Sequence, residues 1–199
     1  MASKKKQELQ LRFYEVPQGE LVLPLIGPSW IRDYGHDTPY FHFHNLMEIG
    51  YCVDGEGTVT LDGADIPYET GMLTVIPRNY PHTTISKEDT KSYWEYIFFD
   101  PETVLNDIYP TRRMFVKKIE KLVNADGRCY AKGENEELVG IVHIIMEECR
   151  HRKRYAGECI RGLMHSLLMA LARQEDVPDT AGDTETEQFP QRGGIYHIS

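Results

Sequence analysis

The sequence has no long apolar run. Nowhere do its hydrophobic residues approach the roughly 20 in succession that a membrane-crossing helix needs. A secretory leader is missing too: the start, MASKKKQELQLRF, is basic, but neither an apolar stretch nor a small-residue cleavage site follows it. The cytoplasm is therefore the expected location. No two of the four cysteines, Cys52, Cys129, Cys149 and Cys159, form a C-x-x-C pair. That disfavours a structural zinc site built from them and predicts buried free thiols in a reducing compartment. Positive charge is scarce, with 22 Lys and Arg against 31 Asp and Glu and a net charge of −9, which argues against a broad basic face that grips nucleic acid. Two local exceptions, KKK at 4–6 and RHRKR at 150–154, read as a solvated terminus and as the C-terminal end of a helix, where cations are favoured.

Three textures follow one another along the 199 residues. Residues 12–100 read as short strands: segments 20–26, 48–53, 58–61, 72–76, 82–86 and 92–99 are apolar or alternating. Asp54-Gly55 and Asp62-Gly63 sit between such runs and signal hairpins, since tight turns need positive φ at their central positions. Many short strands with regular turns indicate a sandwich or barrel. Beyond Asp100-Pro101 the period changes. Leu138, Ile141, Val142, Ile145, Met146 and Cys149 keep helical spacing, as do Cys159, Ile160, Leu163, Met164, Leu167, Leu168 and Leu171. A shorter helical segment is expected over 111–123. The two wide stripes suit core packing or a dimer interface. Residues 174–192 are rich in Asp, Glu, Thr, Gly and Pro and read as an acidic linker, so the chain is expected to lead into a further domain after Ser199. The expected organisation is a flexible N-terminus at 1–11, a barrel at 12–100, a helical dimerisation segment at 101–173, and a linker with the start of the next domain at 174–199.

The residues that carry chemistry lie in two segments. In HFHNLME, His42 and His44 are two apart and so project from the same face of a strand, and Glu48 follows beyond a bend. In GMLTVIPRNYPH, Gly71 opens a strand, Pro77 ends it and His82 begins the next. Three imidazoles and a carboxylate suit a divalent ion such as Zn, Ni, Fe or Mn. The alternative is a hydrogen-bonded polar barrel mouth without metal. Ligation needs deprotonated side chains, so occupancy is expected to fall below about pH 6.

The spacing H-x-H-x3-E-x6-G followed by G-x5-P-x-N-x2-H resembles the two motifs of the cupin superfamily over about residues 30–100. The resemblance implies a double-stranded β-helix (jelly-roll) barrel with His42, His44, Glu48 and His82 at its metal positions. Asn79 and Ser86 depart from the pattern, standing where glycine and asparagine are usual, and Gly35 lies one residue too far upstream of His42. A barrel, two amphipathic helices and a linker in that order are similar to the N-terminal half of AraC-type transcription regulators. That resemblance implies a small-molecule effector such as a sugar, a homodimer, no enzymatic activity, and DNA contact only through a downstream domain. Aromatic residues suit such an effector; Trp30, Tyr40, Trp94 and Tyr96 are the candidate contacts, and Tyr34 could also line the mouth. Trp94, Tyr96 and Phe98 share one strand face, and Tyr93, Glu95, Ile97 and Phe99 the other, with the interior face left open. The competing reading is a metal-dependent cupin enzyme of dioxygenase, isomerase or decarboxylase type.

Overall fold

A computed structural model describes residues 9–35 and 41–175. In chain order it contains β1 (Leu9–Arg12), β2 (Leu23–Leu25), β3 (Ile31–Arg32), β4 (Phe41–His44), β5 (Met47–Asp54) and β6 (Glu56–Leu61). Then come β7 (Ala64–Glu69), β8 (Leu73–Ile76), β9 (His82–Ser86) and β10 (Ser92–Phe99). Four helices follow, α1 (Pro101–Ile108), α2 (Arg113–Val123), α3 (Glu136–His151) and α4 (Ala156–Glu175), with β11 (Arg128–Tyr130) between α2 and α3. The strands form two sheets, β1-β4-β9-β6-β7 and β11-β8-β5-β10-β2, with β3 paired to β10. The fold is a cupin β-sandwich followed by C-terminal helices.

Most of the expected strands form, and β9 and β10 have the expected limits. Asp62 and Gly63 make the two-residue turn of the β6–β7 hairpin, with φ of +47° and +76° and Leu61 paired to Ala64. Asp54-Gly55 does something else. β5 pairs with β8 and β10, whereas β6 pairs with β7 and β9, so Gly55 carries the chain from one sheet to the other instead of closing a hairpin. A side chain there would strike Ser92, 2.5 Å from the Cβ position, and φ is +113°. The N-terminal expectation also changes: residues 9–11, assigned to a flexible tail, join β1. Leu9 and Leu11 stand in parallel register with Phe41 and Phe43 and are held there by the ladder to β4.

The three expected helices are α2, α3 and α4; α1 was not anticipated. Its start is chemically plain, because the Asp100 side chain accepts from the Thr103 amide (3.2 Å) and Pro101 fills the first turn. β11, three residues long, carries too little pattern to read. The helical stripes are spent on the core. Leu138, Val142, Ile145, Met164, Leu167 and Leu171 are all fully buried and pack with Met47, Ile49, Ile97 and Phe99 from the outer face of the second sheet. Cys52 and Cys149 are buried and Cys129 partly so, but Cys159 faces solvent, because it lies off the buried stripe of α4. The KKK run, Tyr40 and the segment from residue 176 onward lie outside the described residues.

Strand β10 joins the two layers. Its Trp94, Tyr96 and Phe98 enter the inter-sheet core with Val59, Leu61 and Ile76, which settles the interior face. Its opposite face carries Glu95, only 4% exposed. Arg150 of α3 reaches both Glu95 oxygens at 2.7 and 2.6 Å. The Tyr93 hydroxyl and the Gly27 amide donate to the same carboxylate at 2.5 and 3.0 Å. The basic run at 150–154 does begin at the C-terminal end of a helix, as expected, and Arg150 also serves there as an anchor; Arg152 in turn meets Glu20 at 2.8 Å.

Burial pushes the Glu95 carboxyl up, but the hydrogen bonds from Arg150, Tyr93 and Gly27 outweigh it and hold the group below its ordinary pKa. A carboxyl depressed in the native state contributes stability above its unfolded pKa and loses it as pH falls through the native value. Glu95→Gln should therefore lower the unfolding free energy by about 2 kcal/mol at pH 7, moderated by the partial exposure of Arg150. The gap to wild type should close below about pH 4, read from urea midpoints across pH.

Candidate metal centre and ligand pocket

The site lies between the two sheets. His42 and His44 both face inward from β4, as strand alternation requires, and His82 is the direct cross-strand partner of His42 on β9. Glu48 comes from the opposite sheet: after the bend at Asn45-Leu46 the chain enters β5, where Glu48 pairs with Ile76 and Phe98. All four side chains are at least 93% buried. The ring centroids stand 4.3 Å (His42–His82), 5.0 Å (His42–His44) and 5.1 Å (His44–His82) apart. Each ring offers a nitrogen within 4.8 Å of the others, so the three-histidine cluster could hold a metal ion.

The backbone orients these rings. His44 Nδ1 lies 3.1 Å from the Arg12 carbonyl and His82 Nδ1 lies 2.9 Å from the Tyr80 carbonyl. A carbonyl only accepts, so both Nδ1 atoms carry a proton, and in the neutral ring Nε2 is the nitrogen left with a lone pair. Neither Nε2 has a hydrogen-bond partner. Glu48 Oε2 stands 2.9 Å from His44 Nε2 and 3.5 Å from His82 Nε2, close but not aligned for a hydrogen bond. Donor atoms that converge on common space without pointing at one another fit a cation. At His42 the Arg12 guanidinium donates from Nη1 to Nε2 at 3.2 Å, so Arg12 and an ion would compete for that lone pair.

The surroundings hold His42 neutral and Glu48 anionic. His42 is lowered to about 3, by burial first and then by His82 and Arg12. Burial pushes Glu48 upward, but the adjoining His82 and His44 pull it well below the usual carboxylate range.

Above the cluster opens a cavity of about 350 Å³, walled by Arg12, Tyr14, Trp30, Arg32, Tyr34, Tyr96 and Phe98, with Thr83 and Thr84 at one side. Of the expected effector contacts, Trp30 and Tyr96 are on this wall, 5.8 Å apart edge to face. Trp94 is not; it is buried below, against Tyr68 at 4.9 Å and Tyr96 at 6.0 Å, and serves the core. Arg12, Tyr14 and Arg32 were not among the expected contacts. They arrive through pairings of β1 and β3 that no local motif encodes. Tyr14 is fixed by Asn45, whose side-chain oxygen accepts from the Tyr14 amide (2.8 Å) while its nitrogen donates to the Tyr14 carbonyl (2.9 Å). The Tyr14 ring then rests on Phe98 at 4.5 Å and on His44 at 5.2 Å. Asn79 adopts φ of +60°, which explains how it replaces the usual glycine, and its amide donates to the His44 carbonyl at 2.7 Å.

Asn45→Ala should destabilise the fold by about 1–2 kcal/mol. It should also raise the hydrogen-exchange rate of the Tyr14 amide, measured by NMR, while amides within β5 keep their protection.

Residues 30–98 match the family described as the Cupin domain. No curated protein matches the chain. Among solved structures, a Cupin 2 conserved barrel domain protein from Salinispora arenicola is 22% identical, covers 34% of this chain and 56% of its own, and has a TM-score of 0.29. The AraC-like transcriptional activator CuxR is 12% identical, with coverage of 64% and 42% and a TM-score of 0.42. A ToxT variant from Vibrio cholerae is 10% identical, with coverage of 72% and 53% and a TM-score of 0.45. The chain thus spans about half the length of the structures it resembles. Among the described residues no helix is long and apolar enough to cross a membrane. The sandwich that holds His42, His44, Glu48 and His82 has the cupin fold, and residues 30–98 within it carry the match to the Cupin domain.

Proposed function

We propose that this chain is the small-molecule-sensing and dimerisation region of an AraC-type transcription regulator, with a divalent metal held at the barrel mouth. One observation carries the reading: the cavity and the helices share strand β10. Tyr96 and Phe98 wall the cavity from one face of that strand, and Glu95 on the other face is bound to Arg150 of α3. A ligand that favours one position of Tyr96 biases the strand, and with it the helix docked behind it. Such a path serves a sensor; catalysis has no use for it, and the assignment is to a non-enzymatic, cytoplasmic protein. The helices spend their main stripes on the sandwich, so a homodimer would use what they leave outside, such as Ile144 at 52% exposure and Tyr155 at 59%. DNA would be met through a downstream domain.

A metal-dependent cupin enzyme is the second reading, favoured by the two imidazole Nε2 atoms without hydrogen-bond partners. In it a bound ion would act as a Lewis acid beside the aromatic wall.

Two measurements test these readings. Elemental analysis of wild type against the His42→Ala/His44→Ala double variant should differ by about one ion per chain; equal, near-zero contents would remove the metal. A regulator further requires that the coding sequence continue past Ser199 for roughly 100 residues with basic helix-turn-helix patterning. A stop codon directly after Ser199 would overturn it in favour of the enzyme.

A further inference from the structure

We infer that the pocket takes a small organic acid, its carboxylate held by Arg12 with Arg32 at the rim, in preference to a neutral sugar. The inference rests on the sensor reading of this cavity and narrows its ligand class.

The charge pattern is the starting point. In a chain of net charge −9, two guanidinium groups and three imidazoles wall one cavity. The acidic groups on the wall are Glu48 and Asp33. Glu48 is occupied by His44 and His82, and Asp33 has an interaction of its own. Among the described residues, neither Arg12 nor Arg32 meets a carboxylate. Arg12 donates to a neutral imidazole, and Arg32 donates to the Ser29 carbonyl at 3.0 Å while its guanidinium lies 4.2 Å over the Trp30 ring. Six other described arginines, Arg78, Arg128, Arg150, Arg152, Arg161 and Arg173, each reach a carboxylate; Arg112 and Arg154 stack on rings as Arg32 does, but away from the cavity.

Donor arithmetic completes the case. A guanidinium carries five N–H donors in a planar fork matched to a carboxylate. Arg12 uses one on His42, lines the cavity and is half-buried, where a charge-assisted pair is stronger than at an open surface. Trp30, Tyr96 and Phe98 supply flat faces for the body of the ligand, and Thr83 and Thr84 supply hydroxyls. A volume of about 350 Å³ is at the small end for ligand pockets and suits a single ring or a short hydroxy acid. A cation on the histidine cluster would add to the same preference.

Calorimetry with matched pairs tests this: glucuronate against glucose, galacturonate against galactose, and 4-hydroxybenzoate against 4-hydroxybenzyl alcohol. At least one acid should bind, with its neutral partner roughly 10- to 100-fold weaker. Arg12→Gln should erase that preference and Arg12→Lys should keep part of it, with circular dichroism unchanged in both. If Arg12→Gln unravels β1, Arg32→Gln at the rim supplies the same readout with a smaller expected loss. Neutral members binding as well as the acids, or acid binding indifferent to both arginines, would overturn the acid assignment and leave the sensor pocket standing. Binding by no member of either series would overturn both.

Discussion

Strand β10 has no solvent face along most of its length. Trp94, Phe98, Ile97 and Phe99 are each exposed by 2% or less, the first two toward the inter-sheet core and the last two toward the helices. Each such side chain contributes roughly 1.5–3 kcal/mol of burial, so the strand fixes the distance between two cores at once. β5 pairs along almost its whole length and repeats the arrangement, with Met47 and Ile49 outward and Glu48 and Cys52 inward. One metal-type ligand thus hangs from the same pair of strands that seats the helical unit. The sandwich and the helices therefore share the strands β5 and β10, and Glu48 reaches the site from one of them.

The polar cluster is stabilised there at most of its atoms, with His44 Nε2 and His82 Nε2 left without hydrogen-bond partners. Backbone carbonyls take the Nδ1 protons of His44 and His82, an arginine covers the His42 nitrogen, and Glu48 balances the local charge. Burying three imidazoles and a carboxylate would otherwise cost several kcal/mol. Polar groups placed this carefully in an interior indicate use, since an apolar core of the same volume would be easier to stabilise.

Much of this was legible in the sequence, and the exceptions share a cause. His-x-His on a strand, the Asp62-Gly63 turn and the helical stripes after Asp100 are local patterns whose period is set by the backbone, so they can be read one segment at a time. The same is true of the inward placement of His42 and His44. Asp54-Gly55 misled because a glycine with positive φ serves a crossing between sheets as well as a hairpin; only the pairing partners tell them apart. Trp94 misled because one strand face feeds both the pocket and the core beneath it, and depth along the strand is not a property of spacing. Arg12, Tyr14 and Arg32 were invisible because segments far apart in the chain bring them to the site.

The tethers on the histidines have a bearing on how such a site can diversify. The acceptors for His44 and His82 are the main-chain carbonyls of Arg12 and Tyr80, and every amino acid supplies that atom. Ring orientation consequently places no demand on which side chain occupies position 12 or 80. A lineage could exchange the residue at 12, and with it the charge presented to the cavity, while His44 and His82 kept their orientation. At His42, whose Nε2 meets the Arg12 side chain, the same exchange would also free a nitrogen, so one position tunes both the charge of the pocket and the donors open to an ion.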